Sequence, residues 1–514
     1  MREKTPPKTH KKEIKQPLLR ENRQKQKSKG LFRWQELVAL AVLIVSAIIL
    51  LLVTGSFKVL KGDVLNITSH FQIGSENLKP KYQQNQVVQV SEGTDKSIGG
   101  KDLTRYKQWI GKIQSNNQVD TDDGKSVMTY TIAFDNGDSI KGVKESDIAQ
   151  APHSKFSKDK IVQVSQSAET DLDGYDLSGV KGDAAKVSSI GYNYSDGGGY
   201  KYDLSFDDGT TYSNVAEYSL NDIYHVDLKE HNSAAQNNQV LKDSFQYAKD
   251  HPGTILGLPS GNFTIGSQNP ESDYILLASD TQIRGDNTKL VVDGTAYWFG
   301  LATGSGASDG VQNFTMRDIT VEAKDLTNGD QFMVMANHGS NWDIANNTFT
   351  MVHKKGSHVF DLGGLQNSSF TDNNFIGYAP DLSNTTSLSD VSDDHAVYAE
   401  AIQFDASDNK GVWDGGLIQK IDSNYTSNNQ NKVLSNNIKV TGNSFLPYKD
   451  SSGKIVAYSA TLGQHSSDVG SITVTGNTFT STLSTRFNKK DDWVFDPIHF
   501  TESSGDSVYN NTID

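Results

Sequence analysis

The chain has 514 residues, an apolar content of 35% and no cysteine, which allows roughly two to four domains with at least one large core and excludes disulfides and thiol chemistry while leaving the compartment open. Its formal net charge of -14 is uneven: residues 1–33 hold twelve Lys or Arg against three Glu, which leaves about -23 on the remainder. An acidic body of that kind argues against nucleic-acid binding, which needs a positive surface for phosphates. The 44 glycines and the many Ser, Thr and Asn residues point to turn-dense, strand-rich architecture.

The run ELVALAVLIVSAIILLLVTGSF comes first. From Leu37 to Phe57 it holds 21 residues without a charge, enough to cross a bilayer as a helix. Its N-terminal flank, KKEIKQPLLRENRQKQKSKGLFR, is basic and the opposite flank only weakly charged, so the positive-inside bias puts the N-terminus in the cytoplasm. The expectation is a basic cytoplasmic tail over 1–36, an anchor over 37–57 seated in the cytoplasmic membrane, and everything after about residue 58 outside. The long basic region and the lack of a small-x-small site within the run favour an uncleaved anchor over a signal peptide. The tail sets topology, and it could also touch anionic lipid.

Beyond the anchor one pattern occurs twice. VVQVSEGTD (87–95) is followed by YTIAFDNGDSIKGVKESDI (130–148), and IVQVSQSAETD (161–171) by YDLSFDDGTTYSNVAEYSLNDI (202–223), with offsets of 74, 72 and 75 residues. Each unit closes on a strand, a D-N-G or D-D-G turn and another strand, and such turns suit tight hairpins because Asn, Asp and Gly accept positive φ. The pattern resembles tandem SH3-like β-barrels, over 82–150 and 156–226. That resemblance implies binding of wall polymers or peptides, and a plain spacer role is the alternative. Trp109 and Tyr192, mid-unit, could stack on a sugar or fill a core.

In NQVLKDSFQYAKDHPG, Val240, Leu241, Phe245 and Ala248 recur near helical spacing and Pro252-Gly253 stops the run, which predicts one short helix. TILGLPSGNFTIG then reads as strand, turn and strand. From residue 254 a turn motif recurs: NNTF at 346–349, DNNF at 372–375, GNSF at 442–445, GNTF at 476–479 and NNTI at 510–513, with steps of 26, 70, 34 and 34. The long step contains polar insertions around 381–395 and 407–432. Periods of this size belong to stacked β-coils, in which equivalent residues form ladders. Asn at the turns can share amide hydrogen bonds along the stack, with Phe, Val and Ile inside.

These repeats and the preceding helix resemble the right-handed, single-stranded parallel β-helix proteins of the pectin-lyase-like superfamily, over 235–514. The resemblance implies a mainly β chain and a carbohydrate groove. It leaves the reaction open, because the superfamily holds lyases, hydrolases, epimerases and non-catalytic adhesins. The layout as a whole resembles surface proteins of Gram-positive bacteria.

Counting back 14 residues from the ends of four turn motifs gives Met335, Asp361, His465 and His499, in HVFDLG, TLGQH and PIHF for the last three. AIQFD supplies Gln403 and Asp405 on one face, with Ile402 and Phe404 on the other. Matching AIQFD to HVFDL on apolar residues puts Asp405 beside Asp361, and a two-residue slip would substitute Gln403. Neighbouring coils lie about 4.8 Å apart, so like charges in one column repel and one carboxyl can keep its proton while another ionises. Histidines beside them can position a carboxylate or shuttle a proton. Asp361 and Asp405 are therefore the expected catalytic pair, with Glu400, His465 and His499 assisting. Glu400 would face away from Asp405 in a regular strand, but could reach the groove from a bend.

Gln403, His358, Lys355, Arg486 and Trp413 are candidate substrate-binding residues, with Lys354, Trp298 and Trp493 behind them; solvated surface or core packing is the alternative for each. No EF-hand, H-E-x-x-H, P-loop or dinucleotide fingerprint occurs, so no cofactor is expected, although SDVSDDH (389–395) could bind Ca²⁺ weakly. The expected partner is an extracellular or cell-wall polysaccharide. Hydrolysis leads because carboxylates outnumber basic residues in the column, with uronate lyase or epimerase chemistry and simple glycan adhesion as alternatives. Protease added to intact cells should remove the region after residue 58 and spare the basic tail; a soluble form starting after the apolar run would overturn the anchor.

Overall fold

The computed structural model describes residues 77–195, 197–270, 272–302, 309–326, 330–354, 357–378, 400–407, 433–464, 468–482, 496–500 and 505–514. The expected tail and anchor lie outside this range; among the described residues no helix is long and apolar enough to cross a membrane.

Two five-stranded antiparallel sheets come first. One is built from Val87–Val90, Ile110–Asp120, Ser126–Ala133, Ser139–Lys144 and Ile148–Gln150, the other from Ile161–Val164, Ala184–Tyr192, Tyr200–Ser205, Thr211–Ala216 and Leu220–Asn221, and both are ordered fourth, third, second, first, fifth. A polar bracket repeats with them. Tyr130 Oη donates to Glu145 at 2.5 Å and accepts from the Tyr82 N–H, and Tyr202 Oη does the same with Glu217 and the Phe156 N–H. Trp109 is buried against Tyr106, Phe134 and Tyr194, so it is a core residue and not a sugar platform. Tyr192 is half-buried beside Tyr194 and Tyr200.

The helix Ala234–Asp250 follows, started by a capping box between Ser233 and Gln236. Its buried Leu241, Phe245 and Ala248 close the open end of the first coil, with Phe245 edge-on to Trp298 at 5.6 Å. Trp298 lies wholly inside the core; it cannot stack on a ligand there.

From Ile255 onward the chain winds into coils with three strand-bearing faces, each strand pairing in parallel with its equivalent in the next coil. One face runs through Thr281–Val292, Phe314–Ala323, Asp343–Ala345, Gln366–Thr371, Asn436–Thr441, Ile472–Thr475 and Ser507–Tyr509. The next continues from Phe314–Ala323 into Thr348–Thr350, Asn374–Ile376, Ser444–Leu446, Thr478–Phe479 and Thr512–Ile513. The third is Ile275–Leu276, Thr295–Gly300, Gln331–Asn337, Phe360–Gly363, Glu400–Ser407, Thr461–Gly463 and Ile498–His499.

The recurring turn motif is the corner between the first two faces. Asn347, Asn373, Asn443, Asn477 and Asn511 stack there, each amide donating to the next Oδ1 at 2.9–3.0 Å. The same oxygens accept the backbone N–H groups of the preceding asparagines, and each amide also donates to a carbonyl of the coil before it. The residue ahead of each ladder asparagine has positive φ and is Asn346, Asp372, Gly442, Gly476 or Asn510, the types that reach this region cheaply. Two positions later Phe349, Phe375, Phe445 and Phe479 stack inside, with centroids 5.2, 4.9 and 4.3 Å apart.

This corner makes a stability prediction. Asn443→Ala strips the buried Asn373 N–H of its acceptor and should cost about 3 kcal/mol, read from the urea midpoint of the coil transition. Asn437→Gly removes an exposed amide contact to Asn367 while keeping a residue suited to φ of 55°, and should cost under about 0.5 kcal/mol.

Candidate active site

Phe332, Val334, Phe360, Leu362, Ile402, Phe404 and Leu462 of the third face enter the main core, so Met333, Met335, Asp361, Gln403, Asp405 and Gly463 point to the other side, as strand alternation requires. The outward column is Phe299, Met335, Asp361, Gln403, Gly463 and His499, each directly paired with the next.

Two expectations are corrected by this register. Asp361 pairs with Gln403, and Asp405 lies opposite Gly363, so the two-residue slip is what occurs. The two carboxylates are diagonal neighbours on adjacent strands, about 8 Å apart at Cα from ordinary strand spacing. Gly463, not His465, occupies the column between Gln403 and His499. Counting back a fixed 14 residues fails there because the arc between the third face and the corner is two residues longer than in the coil of Asp361. His465 lies outside the described residues, as do Lys355, Arg486, Trp413, Trp493 and the segment 389–395.

Glu400 reaches the same side as Gln403 because the register shifts between Glu400 and Ile402. Ala401 and Ile402 both point into the core, and this extra residue restores Glu400 to the outward side, as a bulge does. Its Oε1 lies 2.7 Å from His499 Nε2. His499 Nδ1 lies 2.8 Å from the Asp496 carbonyl, which can only accept, so Nδ1 carries a hydrogen. The Nε2–Oε1 contact needs a second one. His358 Nδ1 donates to the Glu400 carbonyl at 2.8 Å, pinning the strand where it shifts.

Asp361 and Asp405 are held differently. Gln403 Nε2 donates to Asp405 Oδ2 at 2.5 Å. Asp361 Oδ1 is buried without a hydrogen-bond partner. Burial, and after it the charges of Asp405 and Glu400, push its carboxyl well above the usual carboxylate range. Asp361 and Asp405 retain 9% and 7% of their surface, whereas Glu400 retains none. The first two can touch a ligand through small movements; Glu400 can only orient its neighbours.

Lys354 is half-buried on a loop closed by two hydrogen bonds to Ser357 and is no part of the column. One pair escaped the sequence reading: His338 Nδ1 meets Asp309 Oδ1 at 2.7 Å, both nearly buried. His338 sits one residue past Asn337, which neighbours Gly363 on the column's flank. The two residues are 29 apart in sequence, one coil's length, which is the signal that could have linked them. Among the described residues no group of three or more His, Asp or Glu is arranged to hold a metal ion.

No protein-family model matches the chain, and no curated protein sequence matches it. Solved structures are similar to part of the chain. The surface adhesin PfbA of Streptococcus pneumoniae shares 16% identity at a TM-score of 0.35, over 56% of this chain and 67% of its own. The A-module of the mannuronan C-5 epimerase AlgE6 of Azotobacter vinelandii shares 11% at 0.18, over 57% of this chain and 99% of its own. An iota-carrageenase from A. fortis shares 11% at 0.23, over 51% of this chain and 54% of its own. The fold rests on the strand registers above and not on these overlaps.

Proposed function

We propose that the protein is a membrane-anchored, outward-facing glycan-active enzyme that hydrolyses a polysaccharide in the groove of the third face. The observation that carries this reading is the unequal setting of two neighbouring carboxyls: Asp361 is driven toward its protonated form by burial and by the charge of Asp405, while Asp405 accepts a hydrogen bond from Gln403. Paired carboxyls whose proton affinities are pushed apart are what glycosidic cleavage needs. Asp361 gives its proton to the departing glycosidic oxygen. Asp405 activates water or attacks the anomeric carbon. Glu400, His499 and His358 fix the strand and the local field and take no proton from the substrate. Among the described residues the column carries no Lys or Arg to neutralise a uronate carboxylate, which sets elimination and epimerisation behind hydrolysis. The two five-stranded modules, read as SH3-like, lift the solenoid from the bilayer, in which residues 37–57 are the anchor.

The test offers the protein neutral and acidic bacterial polysaccharides and records both new reducing ends and absorbance from unsaturated uronates. Reducing ends without unsaturation are expected, and Asp361→Asn or Asp405→Asn should lower the rate by about 10²–10⁴-fold in proteins that still fold. Unsaturated product would move the chemistry to a lyase. Glycan binding without product, unchanged in both variants, would make the column a scaffold and the protein an adhesin.

A stability prediction follows from the same carboxyl. Its pKa is higher in the folded than in the unfolded chain, so the native state binds more protons between those two values and stability falls as pH rises through that window. The contribution is complete below the ordinary Asp value of about 3.9. Asp361→Asn, which cannot ionise, should therefore raise the unfolding midpoint relative to wild type at pH 8 and show little difference at pH 4. Equal effects at both pH values would mean that Asp361 titrates normally.

A further inference from the structure

The outward column does not end at Asp361. Two strands toward the helix it becomes apolar: Phe299, Met333 and Met335 form a cluster separate from the main core, with Tyr274, Tyr297 and Leu301 packed on it. Tyr274 and Tyr297 lean against Phe299 at centroid distances of 5.8 and 5.5 Å. Beside this cluster opens a cavity of about 860 Å³, lined by Tyr274, Phe299 and Leu301 on the sheet side and by Gln246 and Lys249 on the helix side. Three carboxylates on its border are already engaged: Asp243 accepts from Gln239 at 2.8 Å, Asp280 accepts from Asn313 at 2.6 Å, and Asp309 is paired with His338. The cavity therefore presents an aromatic and aliphatic wall opposite Lys242, Lys249 and the Gln246 amide, with the three carboxylates on its border.

We infer that this cavity is a distal saccharide subsite that holds a pyranose unit of the same glycan chain whose scissile bond lies at Asp361. The inference rests on the cleavage reading for its register and goes beyond it in assigning a second binding site. Three observations favour a sugar as occupant. The wall is continuous with the column of Asp361 through direct strand pairing. Phe299 lies two strands from Asp361, about 10 Å at ordinary spacing, so one extended chain along the solenoid axis reaches both. The lining offers an apolar surface for the C–H face of a ring and polar groups for its hydroxyls. Tyr274, half-buried against Phe299 and with Lys242 Nζ over its ring at 5.6 Å, is the residue that the sugar contacts in place of that lysine.

The test uses the full chain carrying Asp361→Asn to prevent turnover, titrated calorimetrically with cello-, xylo-, malto-, chito- and galacturonate oligosaccharides of increasing length. One series should bind, with affinity rising once the oligomer is long enough to span from residue 361 to Tyr274. Adding Tyr274→Ala or Lys249→Ala should weaken the longest member by about tenfold, as loss of an anchoring contact does, and leave the shortest member and the unfolding midpoint unchanged. Long and short members binding equally well to all these proteins would overturn the subsite and leave the cleavage reading standing. A tenfold loss with Tyr274→Ala, together with no product from the wild-type chain, would keep the subsite and overturn cleavage. Binding of none of the five series overturns the subsite.

Discussion

Everything on the third face depends on a hydrogen bond made at a different corner. A buried backbone N–H must find an acceptor, and at each turn between the first two faces the side chain of the next coil's asparagine supplies it. Because that amide is also tied to its neighbours in both directions, a slip of one residue in any coil would break several buried bonds at once. The register is thereby locked across the 70-residue step between Asn373 and Asn443, where the chain leaves the stack for long insertions. The stacked phenylalanines add contact area, but aromatic packing tolerates small slides better than an amide ladder does. Asp361 and Gln403 face each other on coils that this corner holds in order.

This explains which parts were legible in the sequence. The ladder asparagines and Phe349, Phe375, Phe445 and Phe479 repeat as short words, since one chemical demand recurs at each corner. The capping helix is legible from its apolar spacing. The third face has no such word. Its arc lengths vary from coil to coil, so a fixed count found Asp361 and His499 and missed the position between Gln403 and His499, which belongs to Gly463. Glu400 was ambiguous for a similar reason: alternation alone turns it inward, and only the extra residue Ala401 returns it to the groove side. Asp309 and His338 went unseen because contact between coils, not adjacency in sequence, makes them a pair.

The electrostatics of the site follow from burial acting on a crowded set of acids. Asp361, Glu400 and Asp405 share one small stretch of sheet, and they cannot all ionise there at ordinary cost. Each is given a different solution. Glu400 is hydrogen-bonded to His499, Asp405 receives the Gln403 amide, and Asp361, whose Oδ1 receives nothing, is pushed toward its protonated form.

The central claim is that Asp361 keeps its proton well above the pH at which an ordinary aspartate loses it. The direct measurement is a carbon-13 NMR titration of the full chain labelled at the Asp carboxyl carbons, with the Asp361 signal identified by its disappearance in Asp361→Asn. The account predicts an inflection well above the ordinary value of about 3.9, moving downward when Asp405→Asn removes the neighbouring charge. An inflection at or below the ordinary value, unaffected by Asp405→Asn, would contradict it.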